Sequence, residues 1–568
     1  MRRRIFLALP PILAWLAIER LAMSADDFSG PGVVLREARQ AAESLPGGIS
    51  GYRIKDEVLR DIIVTQAGAG EISDALKTIE KINRGPFPEV TCEIEGWVAI
   101  ASAQVRQGYR EQGLGTFQRA MIAVGRLPSE GGGRLGPLAQ IASAQAGVGE
   151  KKSARMTIDL MAALANNLPL SPSPNIMGFN KALALDLIAT AQSKIGDRAD
   201  ADENWRNAIT AADAIQDVYY KAGSLIVIAG NLACHGTLSK ALRLLDHIKS
   251  PAFEAGNKAN VLSGIALSLE KGNDARGSMY VASKILDPHV RSRTLIEIGR
   301  LRAGAGKRGA AFAAVASATR AADATPGLIQ RGLSLAQASL LQSELDDKAS
   351  ARLTAGRAFD CSNQAERVKS MLGALLRPFT GGGVGGRDPT PVALLAQIAL
   401  ARAKAGDSGG SLVTLLRARQ AADAIEEPST RFMAIREVCA SMIHMGMIAQ
   451  AVELSAQIPD SRNGIKDDLR KMVVLARAEA GDLEGLLRTT VADKEINGDT
   501  VNSSVNAEAK FHAEVSQDVA RRLAAKGDTA GAAAWVEKQK FALSRSRSLL
   551  GRAQGLLEHR KLVKNANP

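Results

Sequence analysis

The sequence has few of the residues that most often carry catalysis, metal binding or covalent cross-links. It contains four cysteines and six histidines in 568 residues, and aromatic side chains make up 4% of the chain. The histidines form no HExxH motif and no pair three or four apart, so no metal site is predicted. Scarce aromatics and little alternation of β-branched residues exclude a β-sandwich or a β-barrel. The cysteines form no CxxC pair, which excludes a zinc ribbon and a disulfide framework; they are Cys92, Cys234, Cys361 and Cys439.

The chain is rich instead in alanine, leucine and glycine at helical spacing. In residues 398–425 an apolar period breaks at Gly406 and Asp407, and a second period follows. Because glycine ends helices and aspartate caps them, this stretch predicts two helices joined by a tight turn. Cys234 and Cys439 lie in apolar helical runs of the same kind, which predicts buried thiols.

The same turn recurs along nearly the whole chain. Its mean spacing is about 41 residues, within the range of helical repeat families, and only the step from Glu344 to Gly406 is much longer. A repeat of this length predicts an all-α solenoid of about twelve antiparallel helix-turn-helix units. The turn residues are Gly70, Gly108, Gly149, Gly196, Gly236, Gly272, Gly306, Glu344, Gly406, Gly446, Gly481 and Gly527.

Three further positions repeat in phase with the turn. A small residue usually follows five positions later, as in Ala75, Gly113, Ala154, Ala201, Ala241, Gly277, Ala311, Ala349, Ser411, Ala451 and Ala532. A large apolar residue usually precedes the turn by eight, as in Ile100, Ile141, Ile188, Ile228, Ile298, Ile398, Val438, Val473 and Val519. The position after it is usually small, as in Ala101, Ala142, Ala189, Ala229, Gly299, Ala399 and Ala520. Small residues at a fixed phase predict close helix packing at one face of each unit.

With these positions the chain resembles the tetratricopeptide repeat family, for example in residues 188–215. That family has a glycine turn between helices A and B, a small residue five positions later and a large–small pair in helix A. The resemblance covers residues 57–541 with breaks, and it implies a right-handed superhelix whose A helices line a concave groove. Two features depart from it: the family period is shorter, at about 34 residues, so helix B or the loop is longer here, and a proline after helix B is only sometimes present. The alternative is a looser solenoid of helical hairpins.

The first residues carry the features of an export signal. Arg2, Arg3 and Arg4 precede a 14-residue apolar run at 5–18, and small residues lie just before Asp26. This order predicts a signal peptide over residues 1–25 and a periplasmic or secreted protein. A short membrane anchor and a misplaced start site, which would leave the protein cytoplasmic, are the alternatives.

The remaining boundaries follow from glycine and proline. Residues 380–391, TGGGVGGRDPTP, cannot continue a helix, so the array is predicted to divide there. The predicted order is a linker at 26–56 with one helix at 33–44, an array at 57–378, a linker at 379–391, an array at 392–530, and a capping helix with a basic tail at 531–568.

Two motifs match catalytic or cofactor signatures in sequence but lie in the wrong structural context. Residues 406–410 spell GDSGG, as around a protease nucleophile, but they follow a helix and fill a turn of the repeat. Gly381, Gly383 and Gly386 match a dinucleotide fingerprint but follow a helix rather than a strand. Since no segment between repeats is long enough for a catalytic domain, neither an enzyme nor a cofactor is predicted; a hydrolase at Ser408 is the weakest alternative.

The resemblance also implies where a partner would bind. The groove position six residues before the turn holds Gly230, Leu400 and the candidate partner-binding residues Ser102, Ser143, Thr190 and Arg300. The lysine and asparagine that clamp a carboxylate terminus in some family members do not recur here, which disfavours that type of adaptor. We expect a non-catalytic scaffold that binds a protein or peptide of unknown identity.

A basic tail supports a second hypothesis. Residues 538–564 hold eight basic residues against Glu558 alone. Lys538, Arg545 and Arg552 are seven apart on one predicted helix over 532–563, in a row beside its apolar face. Such a row could bind a polyanion, either nucleic acid or anionic lipid.

Overall fold

The computed structural model describes residues 30–45, 49–82, 89–128, 133–167, 174–235, 237–248, 258–380, 390–459, 463–488 and 504–566. These ranges contain helices and no strand, which confirms the all-α class. The helices are α1 (Pro31–Glu43), α2 (Ile49–Ala69), α3 (Ile72–Ile79), α4 (Glu89–Arg106), α5 (Arg110–Gly125), α6 (Leu135–Gly147), α7 (Lys151–Asn166), α8 (Pro174–Ile195), α9 (Arg198–Asp213), α10 (Val218–His235), α11 (Leu238–His247), α12 (Lys258–Lys271), α13 (Ala275–Lys284), α14 (Pro288–Gly304), α15 (Arg308–Asp323), α16 (Leu328–Glu344), α17 (Lys348–Thr380), α18 (Thr390–Lys404), α19 (Ser408–Asp423), α20 (Pro428–His444), α21 (Ile448–Ser455), α22 (Asn463–Ala480), α23 (Leu483–Arg488), α24 (Ser504–Ala525), α25 (Thr529–Lys538) and α26 (Ala542–Ala566).

Consecutive helices pack as hairpins, so the helical-repeat organisation is confirmed. An even-numbered helix is the first of each pair, and the odd-numbered helix after it is the second. The pairs in close contact are α2–α3, α4–α5, α8–α9, α10–α11, α12–α13, α14–α15, α16–α17, α18–α19, α20–α21 and α24–α25.

The predicted turns are where these hairpins bend. Positive φ occurs at Gly70, Gly108, Gly149, Gly196, Gly306, Gly406, Gly446, Gly481 and Gly527. Two predicted turn residues were wrong, because Asn273 and Asp346 take the left-handed conformation in place of Gly272 and Glu344. Asparagine and aspartate tolerate that conformation better than other non-glycine residues, so the glycine signal missed them. Gly236 lies outside the described residues.

The turn at Gly406 shows how the sequence forms the bend. Gly406 has φ 83°, and the Asp407 backbone N–H donates to the Arg402 carbonyl at 2.8 Å, which closes the end of α18. The Asp407 carboxylate accepts from the Gly410 backbone N–H at 2.9 Å and caps α19. The GDSGG pentapeptide is therefore a helix end followed by a helix cap.

The predicted packing positions are buried, with one correction. The large–small pairs before the turns are all buried, and so are the small residues at Ala75, Ala201, Ala311 and Ala451. Ala349 is exposed, so that prediction was wrong; because the turn residue is Asp346, the buried small residue is Ala351.

Of the ten second helices in these pairs, nine fall into two length classes, and α17 is longer, with 33 residues. They have 8–10 residues in the short hairpins, whose second helices are α3, α11, α13, α21 and α25. They have 16 residues in the long hairpins, whose second helices are α5, α9, α15 and α19. A buried residue, usually apolar, follows each: Ile82, Ile248, Ile285, Ile458 and Gln539 in the short class, and Leu127, Ile215, Thr325 and Ile425 in the long class.

By their contacts, the residues form two compact units. The first comprises the described residues within 1–129, 136–154 and 477–568, and the second those within 130–135 and 155–476. The predicted division at 379–391 lies inside the second unit, and its residues 381–389 are outside the described part of the chain.

In the second unit the first helices stand side by side. The contacts run from α8 to α10, α12, α14, α16, α18 and α20, each helix packing on the next. The partly exposed faces of these seven helices therefore form one continuous surface, which we call the row surface.

In the first unit the first and last described helices pack together. Helix α26 packs on α24, where Gly551 and Gly555 lie against the α24 backbone with no room for a Cβ, and α1 packs on α26. Part of the predicted linker is thus packed helix, since α1 buries Val34 and Leu35. Helix α26 also contacts α2, where Arg547 bonds Asp61 at 2.5 Å.

The single helix predicted over 532–563 was wrong, because the chain breaks between α25 and α26. Gln539 has ψ 117° and a buried side chain that donates to the Trp535 carbonyl at 2.9 Å and accepts from Ser516. The predicted signal peptide lies outside the described residues. Within the part that is described, no helix combines the length and apolar character needed to cross a bilayer.

Candidate functional site

The four candidate partner-binding residues are half-exposed and divided between the units. Ser102 and Ser143 belong to the first unit, and Thr190 and Arg300 to the second. The Ser102 hydroxyl donates to the Val98 carbonyl of its own helix at 2.7 Å. Arg300 donates to Glu297 Oε1, one turn earlier, at 2.5 Å. Ser102 and Arg300 are therefore bonded within their own helices.

The row surface has one composition along its length. With the turns corrected to Asn273 and Asp346, the position six residues before the turn also includes Leu267 and Leu340, which sequence reasoning missed. Every residue at this position in α8 to α20 is half-exposed: Thr190, Gly230, Leu267, Arg300, Leu340, Leu400 and Ala440. The centre of the surface is therefore small or apolar, apart from Arg300.

A buried polar group joins helices α8, α9 and α10. The Asp186 carboxylate on α8 accepts from Trp205 Nε1 on α9 at 3.1 Å and from Asn231 Nδ2 on α10 at 2.6 Å. Burial raises the pKa of Asp186 to about 6, despite these two donors, because desolvation penalises the ionised form. Asp186 therefore positions neighbouring helices and does not reach the row surface.

Further along the row, an ion pair joins α12 to α14. Arg302 donates to both oxygens of Glu270, at 2.8 and 2.9 Å, and to the Ala275 carbonyl at 3.2 Å. The two side chains are 7% and 6% exposed. The hydrogen bonds from Arg302 lower the pKa of Glu270, so the pair remains charged at neutral pH.

A second polar link recurs inside the hairpins, and sequence reasoning missed it. The residue four before the turn bonds the residue eight after it: Gln66 accepts from Thr78 at 2.8 Å, and Gln192 accepts from Asn204 at 2.9 Å. Arg402 donates to Thr414 at 2.9 Å in the same way. The signal was present as glutamine or arginine followed, at a fixed distance across the turn, by threonine or asparagine.

The basic tail does not form the predicted row. Lys538 ends α25 with its Nζ 5.7 Å from the Trp535 ring, and burial lowers the pKa of this amine. Arg545 and Arg552 lie on α26, where Arg545 is exposed and Arg552 is half-buried. The break at Gln539 therefore separates Lys538 from the other two residues.

Asp407 of GDSGG is engaged as a helix cap, and the described ranges hold no cluster of three or more His, Cys, Asp or Glu that could bind a metal ion. Cys439 is buried as predicted, and burial raises its pKa to about 12. The predicted burial of Cys234 was wrong, because this residue lies at the end of α10 and is exposed.

No protein-family model matches the chain, and no curated protein matches it either. Among solved structures, Ton1535 from Thermococcus onnurineus NA1 is 15% identical, covers 66% of this chain and 98% of its own, and has a TM-score of 0.27. A monomeric mutant of IFIT1 with Gppp-AAAA is 13% identical over 89% of this chain and 99% of its own, with a TM-score of 0.22. A circular tandem repeat protein with novel repeat topology is 14% identical over 94% and 96%, with a TM-score of 0.14. All three TM-scores are below 0.5, so these likenesses assign no function.

Proposed function

We propose that the chain is a non-catalytic scaffold that binds an extended protein segment along the row surface of its second unit. In this proposal the hairpins form a right-handed, tetratricopeptide-like array of about twelve repeats. Stacked repeats of this kind expose a long surface made from one helix of each pair, which suits an extended ligand.

The uniform half-exposure of the row surface carries the proposal. Seven helices lie side by side, and at roughly 9 Å between neighbours the surface is about 55 Å long. An extended chain rises about 3.4 Å per residue, so about 16 residues fit along it. Small and apolar side chains occupy the centre, whereas the last turns of α8, α12 and α18 carry the exposed Lys194, Lys271 and Lys404, and α16 ends in the exposed Glu344. This arrangement favours a segment with small apolar residues flanked by acidic ones.

Site-specific photocrosslinking tests which face binds the partner. A benzophenone amino acid replaces Leu340 or Leu400 on the row surface, and, as the matched control, Leu353 on a second helix, which is 73% exposed. We expect the same partner to crosslink from residues 340 and 400 and not from 353. Crosslinking from 353 alone would move the binding site to the other face and end this proposal.

Bulky substitution tests the same surface by a separate readout. Thr190→Trp fills the first part of the row surface, and we expect partner affinity to fall at least tenfold while Leu353→Trp leaves it unchanged. Equal affinities for both variants would show that the segment does not run across α8. The Ser408→Ala variant should retain full binding, because Ser408 begins α19, a second helix, and does not lie on the row surface.

We also propose that the protein is exported. The leader at 1–25 supports export, and the first described helix begins only at Pro31, so cleavage near Ala25 would leave α1 intact. Amino-terminal sequencing of the protein recovered from cells tests this, and a mature start near Asp26 is expected. Recovery of an intact Met1 on a soluble chain would contradict it.

A further inference from the structure

The short second helices α11 and α13 leave a cleft that the proposed partner site does not use. Both helices end after 10 residues, and the chain then turns inward at Ile248 and Ile285, each in extended backbone. The cleft between them has a volume of about 780 Å³. Pockets for small molecules in proteins lie between about 300 and 1,000 Å³, so this cleft has the size of a ligand site.

The walls of the cleft are mainly apolar. Leu245 and Leu262 are buried at its base, and Leu242 and Ala259 are half-buried beside them. At the mouth, Leu286 is 89% exposed. An apolar body of moderate size would bury these side chains and remove Leu286 from water.

The polar groups of the cleft carry an excess of positive charge. Three cations, Arg243, Lys258 and Lys284, line it with two carboxylates, so the net charge is +1. One carboxylate, Asp246, pairs with Lys258 at 2.6 Å, and the other, Asp287, accepts from the Val290 backbone N–H and caps α14.

Two of the cations have no carboxylate partner among the described residues. Arg243 is exposed on α11, and its guanidinium makes neither an ion pair nor a hydrogen bond there. Lys284 lies with its Nζ 5.1 Å from the Tyr280 ring, which also lines the cleft. A site with apolar walls and two unpaired cations is complementary to a ligand that is apolar at one end and anionic at the other.

We propose that this cleft binds a small amphipathic carboxylate, with its alkyl or aryl body against Leu245 and Leu262 and its carboxylate against Arg243 and Lys284. The net charge of +1 matches a singly charged head group better than a dianionic phosphate. The proposal goes beyond the peptide site, because the cleft is lined by α11, the start of α12 and the end of α13, and none of its lining residues is one of the row-surface residues.

Competition binding with matched head groups tests the ligand class. The fluorescent probe 8-anilinonaphthalene-1-sulfonate is bound to the full-length protein and displaced by dodecanoate, dodecyl phosphate or dodecyltrimethylammonium below their micellar concentrations. We expect dodecanoate to bind at least tenfold more tightly than the cation, and more tightly than the phosphate. Equal affinities for the carboxylate and the cation would overturn the anion site, and tighter phosphate binding would overturn the carboxylate assignment.

Surface variants test the residues without endangering the fold. Arg243→Ala with Lys284→Ala should weaken dodecanoate at least tenfold, because two charge-assisted hydrogen bonds are lost. The matched control is Arg276→Ala, an exposed arginine on α13 that does not line the cleft, and it should bind as the unaltered protein does. Ala259→Trp should block the cleft in a folded protein, as judged by circular dichroism. Unchanged binding in the double variant would overturn the proposal whatever the behaviour of Ala259→Trp.

Discussion

The short hairpin α12–α13 and the long hairpin α18–α19 solve one packing problem with helices of different length. In both, a buried isoleucine follows the second helix, but Ile285 comes seven residues sooner after the turn residue Asn273 than Ile425 does after Gly406. The difference of seven residues is about two helical turns, so both side chains return to the same face of their helices. Length can therefore change in steps of two turns without altering the core contact.

The two classes also explain the irregular period of the sequence. The step from the turn at Asn273 to the turn at Gly306 is seven residues shorter than the step from Gly406 to Gly446. The long second helices add exposed surface. The short helices α11 and α13 end early and therefore leave the cleft between them uncovered. The repeat thus leaves a pocket where the two short hairpins α10–α11 and α12–α13 are adjacent.

The largest expected effect lies at the junction of a short and a long hairpin. Arg302 on α14 holds Glu270 on α12, and both side chains are buried. Arg302→Ala leaves the Glu270 carboxylate without its cation, and we expect the free energy of unfolding to fall by ~3–5 kcal/mol. Urea unfolding, with hydrogen exchange followed in α12 to α14, measures the loss.

Arg300→Ala is the matched control for that variant. Arg300 lies two residues earlier on the same helix, is half-exposed and bonds only Glu297. Its loss should change the free energy of unfolding by about 0.5 kcal/mol or less. A similar loss in both variants would mean that the buried pair contributes nothing beyond a surface arginine.

The residue that follows a second helix should matter in proportion to the apolar volume that it buries. Ile285 is fully buried, so Ile285→Ala should lower the free energy of unfolding by ~2–5 kcal/mol through the cavity that it leaves. At the matching place of a long hairpin, Thr325→Ala removes one hydrogen bond to the Ala321 carbonyl, at 3.3 Å, and should cost about 1 kcal/mol. Urea unfolding of the two variants, compared side by side, decides the point, and equal losses would contradict the distinction.

Acid should affect a long and a short hairpin in opposite directions. In the long hairpin α8–α9 the pKa of Asp186 is about 6, above its ordinary 3.8, so the folded state prefers the neutral acid. Stability contributed there is present below about pH 4 and is lost as the pH rises to about 6, by ~3 kcal/mol at most. Around α12 the pKa of Glu270 is lowered, so the stability from its pair is present above its ordinary pKa of 4.5 and lost on acidification.

Hydrogen exchange at pH 3 to 7 separates these two responses. Amides of α8 and α9 should exchange more slowly toward pH 4, after correction for intrinsic rates, whereas those of α12 should begin to exchange faster as the pH falls below about 4.5. Asp186→Asn removes the titrating group and should abolish the first response alone. A response that persists in that variant would assign it to another carboxyl group.

The turns and the core positions could be predicted from the sequence because they follow local rules. Gly406 ends one helix and Asp407 caps the next, and Ile398 with Ala399 marks the face that is buried. The turns at Asn273 and Asp346 were not predicted, because turns were assigned mainly to glycine, although asparagine and aspartate also adopt positive φ. The hydrogen bond between glutamine and threonine inside the hairpins was not predicted, because each residue alone is an ordinary polar residue of a helix.

Other features depend on contacts between distant parts of the chain, which periodicity does not encode. The burial of Arg547 against Asp61 joins residues 486 positions apart, and no local pattern distinguishes Arg547 from Arg545. The cleft depends on the absence of two helical turns in α11 and α13. The average spacing of the turns does not show which helices are short. The candidate groove residues were found by resemblance, and their half-exposure follows from helix packing rather than composition.

Lengthening a short second helix directly tests the comparison between short and long hairpins. The expected effect, on ligand affinity, is the smallest of those predicted. Residues 318–324 of α15 are copied after Lys284, so that α13 gains two turns and becomes about as long as α15. Because seven residues restore the helical phase, Ile285 still reaches the core and the protein should fold with an unchanged circular dichroism spectrum. The added turns should cover the mouth of the cleft, and dodecanoate should bind at least tenfold more weakly, whereas the same seven residues inserted after Asp423 of α19 should leave its affinity unchanged. If the lengthened α13 still binds dodecanoate as before, the missing turns are not what opens the cleft, and the contrast between short and long hairpins concerns the period of the repeat alone.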